Sequence, residues 1–192
     1  MEKKNGDAIT GSVGASKVFI GRYTYGINQE RTQILQWGEG ATLHIGAFCS
    51  FAKDIRILLG GNHRVDWITT YPFGHVFKEQ FGEPISGHPQ TKGDVNIGND
   101  VWIGQNTTIM SGVSIGDGAV VAAGSHVNKS IGAYQIWGGN PVCFIKKRFD
   151  DEIIRILLEI RWWEWPEEKI VNNIRTLCQK PTRDDLLNFL SG

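Results

Sequence analysis

The chain has 192 residues, enough for one domain with a core of its own. Its 20 Lys and Arg balance 20 Asp and Glu, so the formal net charge is zero, which argues against a general nucleic-acid binder. Three scattered cysteines, Cys49, Cys143 and Cys178, form no CxxC pair and suggest neither a zinc knuckle nor a disulfide framework; they fit small apolar residues in a reducing cytosol.

The N-terminus, MEKKNGDAITG, is polar and lacks an apolar h-region, and no apolar run approaches the roughly 18 residues a bilayer span needs. A cytoplasmic protein with no membrane partner is expected. Further along, aliphatic or aromatic residues recur with a period of six, first at Ile45, Phe51 and Ile57, then at Ile97, Ile103, Ile109, Ile115, Val121 and Val127. Gly98, Gly104, Gly116 and Ala122 follow four members of the second run, and Gly46 and Ala52 follow two of the first. The residues two before each member of the second run are mostly small or aliphatic. The runs are out of phase, because Ile57 and Ile97 are 40 residues apart. The segment 64–93, rich in aromatics, Gly and Pro, is therefore an excursion from the repeat, and a loop of that length is usually functional.

After the repeat the pattern changes. FDDEIIRILLEI suits a mostly buried helix. Pro166 followed by Glu167 and Glu168 opens a second helix. Thr182 and Asp185 resemble a capping box before a short helix at 184–190. Trp162, Trp163 and Trp165 read as packing residues. The expected division is 1–149 for the repeat with its excursion and 150–192 for a helical extension.

Period six does not suit a helix, where every sixth residue rotates by about 240°. It fits a short strand plus a turn, one face of a triangular coil. The aliphatic points inward, and the small residue beside it is expected to let the chain turn the corner. Each turn of such a coil buries its apolar edge only against its neighbours.

The stretches GRYTYG (21–26), LHIGAFCSFA (43–52), GGNHRVDWITTYPF (60–73), GDVNIGNDVWIG (93–104), IWGGNPVCFIKKRF (136–149) and RWWEWPEEKI (161–170) together resemble the xenobiotic acetyltransferases of the hexapeptide-repeat superfamily, which include streptogramin and chloramphenicol O-acetyltransferases. They span nearly the whole chain in that family's order. The resemblance implies a mainly β fold, a left-handed parallel β-helix with C-terminal α-helices. It also implies a homotrimer with active sites between adjacent subunits, acetyl-CoA as co-substrate and no metal requirement.

The same resemblance assigns the general base to the His of the NHRxD motif, here His63, which also stands where the first run breaks into the excursion. Imidazole suits that role because its ordinary pKa lies near neutrality. Asn62, Asp66 and Tyr71 share the motif and are expected to shape the acceptor pocket or hold the imidazole tautomer; Tyr25 is placed on the acceptor side too. A backbone N–H near Trp102–Gly104 is expected to serve the oxyanion, with Trp102 bordering the site. Ala123, Gly138, Gly139 and Pro141 would wall the pantetheine groove. The basic cluster Lys146, Lys147 and Arg148 would meet the phosphates of CoA, and no Walker or Rossmann pattern indicates ATP or NAD.

The stretch between GRYTYG and LHIG is shorter than in chloramphenicol-type members, the excursion is moderate, and Trp137 stands where many relatives have an aliphatic residue; these departures point to a small saccharide acceptor of bacterial surface polysaccharide. Antibiotic O-acetylation and N-acetylation of a nucleotide-linked amino sugar stand as alternatives. A zinc lyase on the same coil would need converging histidines, whereas successive His separations here are 19, 12, 13 and 38. A coil that had lost its chemistry would lack the motif His or the basic end. The mechanism expected is direct transfer in a ternary complex rather than an acyl-enzyme on Cys49.

Overall fold

The computed structural model describes residues 6–28 and 30–191. The polar opening Met1–Asn5 lies outside them. A hairpin of β1 (Ile9–Val13) and β2 (Ser16–Ile20) starts the chain, and strands then arrive in threes: β3 (Thr32–Leu35), β4 (Leu43–Ile45), β5 (Ser50–Phe51), β6 (Ile55–Leu58), β7 (Val95–Ile97), β8 (Trp102–Ile103), β9 (Thr108–Ile109), β10 (Ser114–Ile115), β11 (Val120–Val121), β12 (His126–Val127), β13 (Gln135–Gly138) and β14 (Cys143–Lys147). They form three sheets, the faces of a prism. Face 1 has the order β1-β2-β4-β7-β10, face 2 β14-β13-β11-β8-β5 and face 3 β12-β9-β6-β3. All pairings along the stack are parallel except the two hairpins at its ends, β1–β2 and β13–β14.

The period-six residues are the core. Ile45, Ile97 and Ile115 stack on face 1, Phe51, Ile103 and Val121 on face 2, and Ile57, Ile109 and Val127 on face 3, all buried. The second inward position holds Val95, Val101, Val113 and Ala119, also buried. Where it is polar the hydroxyl is satisfied locally: Thr107 donates to the Gly104 carbonyl at 2.7 Å and Ser125 to the Ala122 carbonyl at 2.6 Å, as burial of a hydroxyl requires.

The glycines beside the core aliphatics do not make the turns. The corner residues with left-handed backbone lie three positions after seven of these nine core residues: Phe48, Asp54, Asp100, Asn106, Gly112, Gly118 and Gly124. Gly116 is needed for clearance instead. A Cβ there would stand 2.5 Å from the Ala133 amide nitrogen of the next coil. The expectation placed the glycines correctly and gave them the wrong duty.

One ordinary circuit takes 18 residues, as from Ile97 to Ile115, whereas the pairs Ile45–Ile97, Phe51–Ile103 and Ile57–Ile109 are each 52 residues apart. The extra 34 residues leave between β6 and β7, at the corner of faces 3 and 1, and the stack resumes in register. The backbones of Asn62 and Gln90 close the base of the excursion with reciprocal hydrogen bonds of 2.9 and 2.8 Å. Within it, α1 (Lys78–Phe81) is one short turn.

The chain ends in α2 (Asp151–Ile160), α3 (Glu167–Leu177) and α4 (Arg183–Ser191), with a single 3₁₀ turn at Trp162–Glu164. Asp150 caps α2, its carboxylate accepting from the Ile153 amide at 2.9 Å. Pro166 occupies the N-cap of α3. The Asp185 amide donates to Thr182 Oγ1 at 3.2 Å before α4, half of the expected capping box. Ile156, Leu157, Ile160, Trp163, Trp165 and Leu186 form a second core around Tyr134, packed against Ala47, Phe48 and Ala133 of the corner between faces 1 and 2. Arg22 of the coil donates to the carbonyls of Trp163 and Trp165, tying the tryptophan segment down. Those tryptophans are packing residues.

Candidate active site

His63 projects from the outgoing limb of the excursion, one residue past the Asn62–Gln90 closure. Its Nδ1 lies 2.7 Å from the Thr70 carbonyl oxygen. A carbonyl can only accept, so Nδ1 carries the hydrogen and Nε2 keeps its lone pair. That is the tautomer a general base requires.

None of Asn62, Asp66 and Tyr71 holds the His63 imidazole, which is oriented by the Thr70 main chain. Asn62 Nδ2 donates to the Gln90 carbonyl and to Ser111 Oγ, both at 3.1 Å, so its amide pins the excursion to the next coil. Asp66 is paired with Arg64, whose Nε donates to Oδ1 at 2.7 Å, and this guanidinium holds the carboxyl down to about 2. Arg64 also lies over the Trp67 ring at 5.0 Å. Tyr71 packs against Phe73 at 4.8 Å and keeps a face open to solvent. The excursion also leaves the apolar side chains of Val65, Ile68, Phe77, Phe81 and Ile85 exposed.

His88, to which the sequence reading assigned nothing, stands on the returning limb. Its ring is perpendicular to that of His63 with centroids 4.7 Å apart, and His75 lies 4.9 Å away. Three histidines far apart in sequence meet only because the limbs are zipped together, a contact with no local sequence signal. Among the described residues no group of three or more His, Cys, Asp or Glu could hold a metal ion.

The residues expected at the CoA groove gather at a different corner, between faces 2 and 3. Gly104 lies directly beneath Ala123, since a Cβ on Gly104 would meet the Ala123 amide nitrogen at 2.5 Å. Gly138 lies over Ala122, and Gly139 donates to Ser125 Oγ at 3.2 Å. Pro141 follows in an exposed turn held to the stack by the Val142 amide, which donates to the His126 carbonyl. The result is a column of small residues. The oxyanion expectation fails at Trp102 and Gly104, whose amides are consumed in the ladder by Ala119 and Val121. The exposed Ala123 amide has no partner among the described residues. Trp102 and Tyr25, 56% and 62% exposed, stand on the outer side of face 2, each beside Ser50.

The basic cluster divides. Lys146 and Lys147 are exposed on β14, and Lys147 is paired with Asp151. Arg148 turns inward, one guanidinium nitrogen donating to the Gly118 carbonyl at 2.7 Å and pairing with Asp100, so it is anchored to the coil unlike the two lysines.

Two other features lie apart from this chemistry. Cys49 is fully buried, its thiol donating to the Gly98 carbonyl at 3.0 Å, and burial pushes it up to about 12, which disfavours the nucleophilic thiolate near neutrality. A cavity of about 390 Å³ lies beneath the C-terminal helices, bordered by Phe48, Tyr134, Leu157, Ile174 and Leu186. No residue of the excursion lines it, and its polar lining includes the paired Asp100 and Arg148. No helix among the described residues is long and apolar enough to cross a membrane.

The fold has counterparts among known proteins. The model of the bacterial transferase hexapeptide family (six repeats) matches residues 94–129. Over 156 residues the chain is 50% identical to a protein named probable macrolide acetyltransferase from Lysinibacillus sphaericus, covering 79% of this chain and 86% of that one. Over 179 residues it is 40% identical to the virginiamycin A acetyltransferase of Staphylococcus aureus, covering 88% and 80%. Among solved structures it is similar to the polySia-specific acetyltransferase NeuO, with a TM-score of 0.50 and 28% identity over 71% of this chain and 56% of that one.

Proposed function

The chain belongs to the hexapeptide-repeat xenobiotic acetyltransferases, left-handed parallel β-helices that take their acetyl group from acetyl-CoA, and on that premise we propose that it O-acetylates a hydroxyl of a largely apolar, antibiotic-like acceptor. The observation that carries the acceptor class is the number of exposed apolar side chains, Val65, Ile68, Phe77, Phe81 and Ile85, on the excursion that also carries His63. Such a surface favours a molecule that gains by leaving water, and relatives named for macrolide and virginiamycin acetylation support it. A saccharide acceptor is the second reading, favoured by the likeness to a polysialic acid acetyltransferase.

His63 takes the acceptor's hydroxyl proton on Nε2 as the acceptor oxygen bonds to the thioester carbonyl carbon. The carbonyl of Thr70 holds the hydrogen of Nδ1 and steadies the imidazolium that results. The Ala123 amide is the candidate donor to the thioester oxygen or the pantetheine arm. The C–S bond then breaks, and the imidazolium returns its proton to the CoA sulfur. Lys146 at the end of the small-residue column meets the phosphates.

One chain places His63 at the corner of faces 3 and 1 and the column at the corner of faces 2 and 3. A homotrimer, in which the excursion of one subunit faces the column of the next, completes the site. The test is acetyl-CoA consumption with a macrolide, a streptogramin, chloramphenicol, simple sugars and a nucleotide-linked amino sugar. Turnover of one antibiotic, reduced about a hundred- to ten-thousand-fold in His63→Ala, is expected. Turnover of a sugar alone replaces the acceptor class, and full activity in His63→Ala removes the base.

A further inference from the structure

The imidazole of His88 is the polar group that this mechanism leaves without a task. It lies two residues before Gln90, where the returning limb of the excursion rejoins the outgoing one. Both ring nitrogens are buried and neither has a hydrogen-bond partner among the described residues. The residue as a whole is half-buried, and native proteins seldom occlude both nitrogens of an imidazole and leave them unpaired. The ring is packed at 90° against His63, with centroids 4.7 Å apart, on the limb opposite the one that supplies Thr70.

We propose that His88 is a positioning residue for the base: its neutral ring walls in the His63 imidazole and holds it in the orientation that keeps Nδ1 on the Thr70 carbonyl. The inference rests on the reading of His63 as the base. A free imidazole flips about its χ2 angle at little cost. A flip of His63 would break the bond to Thr70, swap the two nitrogens and remove the lone pair from its working position. A ring standing edge-on at van der Waals distance blocks that motion, and it does so without a hydrogen bond that would draw on either nitrogen of His63.

The wall works only while uncharged, because a second cation this close would oppose the imidazolium formed during transfer. The surroundings keep it so. Burial first, then His63 and His75, hold the imidazole of His88 below the ordinary histidine range, against the opposing pull of Glu39. Glu39 is itself committed, accepting from the amides of Gly61 at 2.6 Å and Trp37 at 3.1 Å. Arg64, near Gly87, is paired with Asp66. No carboxylate among the described residues hydrogen-bonds to His88, and the distant pull of Glu39 is outweighed.

The experiment uses the full chain labelled with ¹⁵N-histidine, without substrate, so that it is read independently of turnover. The His63 resonances are identified by their loss in His63→Ala. The wild type is expected to show His63 as the neutral Nδ1–H tautomer. His88→Ala is expected to show a mixture of tautomers, with kcat lowered about ten- to a hundredfold and the KM for acetyl-CoA unchanged. His88→Phe restores the wall without a titrating group and is expected to keep both the tautomer and kcat within about threefold. A His88→Ala protein with an unaltered His63 tautomer and unaltered kcat overturns the proposal. So does a folded His88→Phe protein that keeps the tautomer and loses turnover, since a ring nitrogen of His88 would then be required. If His88→Ala does not fold, the Phe variant decides alone: tautomer and turnover kept supports the wall, and either one lost overturns it. An inactive acceptor panel with the tautomer shift intact would overturn the proposed reaction and leave the positioning role standing.

Discussion

Cys49 occupies the corner between faces 1 and 2, its thiol held on the Gly98 carbonyl and pushed up to about 12 by burial. Cys143 and Cys178 are exposed. Alkylation of the native protein is therefore expected to modify Cys143 and Cys178 and spare Cys49, and rapid-quench mass spectrometry during turnover is expected to find no acetylated protein; an acetyl group on Cys49 would replace direct transfer by a covalent route. At this scale the sequence was informative about identities and uninformative about partners. The role proposed for His63 rests on the NHRxD motif it sits in. Its partner is a main-chain carbonyl, which every residue possesses, so nothing in the letters marks Thr70. Asp66 was a plausible orienting group until Arg64, two residues away, proved to hold it. Arg148 looked equivalent to Lys146, and only the fold shows its guanidinium turned toward Asp100 and Gly118.

At the scale of the strand and its turn, the period-six core was legible because burial repeats with the coil and selects one residue class at one interval. The corner conformation repeats as faithfully but is filled by Phe, Asp, Asn and Gly, so no single letter reveals it. The division of labour between clearance and conformation gives a paired test. Gly116→Ala forces a Cβ against the Ala133 backbone and is expected to cost about 1–3 kcal/mol, seen as a melting temperature lowered by several degrees. Asn106→Gly changes a left-handed corner that Asn already tolerates and is expected to be close to neutral. Equal losses in both would return the turning role to the glycines beside the core. The tail helices were legible from their amphipathic pattern and acidic first turns, and the short turn of α1 was not, being too brief to show a period.

For the whole molecule, the separation of His63 from the small-residue column by an entire face makes a quantitative expectation possible. Two inactive proteins, His63→Ala and Ala123→Trp, are unfolded together at equal amounts and refolded as mixed oligomers. If each site takes its base from one subunit and its groove from the neighbour, about a quarter of wild-type activity returns. No recovery would mean that both halves belong to one chain. Neither the handedness of the coil nor its partner could be read from the repeat itself, because a period fixes how often the chain turns and not which way it winds or what it docks against.

The 52-residue offset common to all three faces has a further consequence for how such a protein changes over time. The excursion enters and leaves at one corner, and the coils on either side pair as though it were absent. It is therefore a cassette: its length and lining can be rewritten, by drift or by grafting, while the stack that folds the chain stays the same. New acceptor preferences can arise in this scaffold without renegotiating its stability, and the place to look for the difference between two such enzymes is the insert, not the prism that carries it.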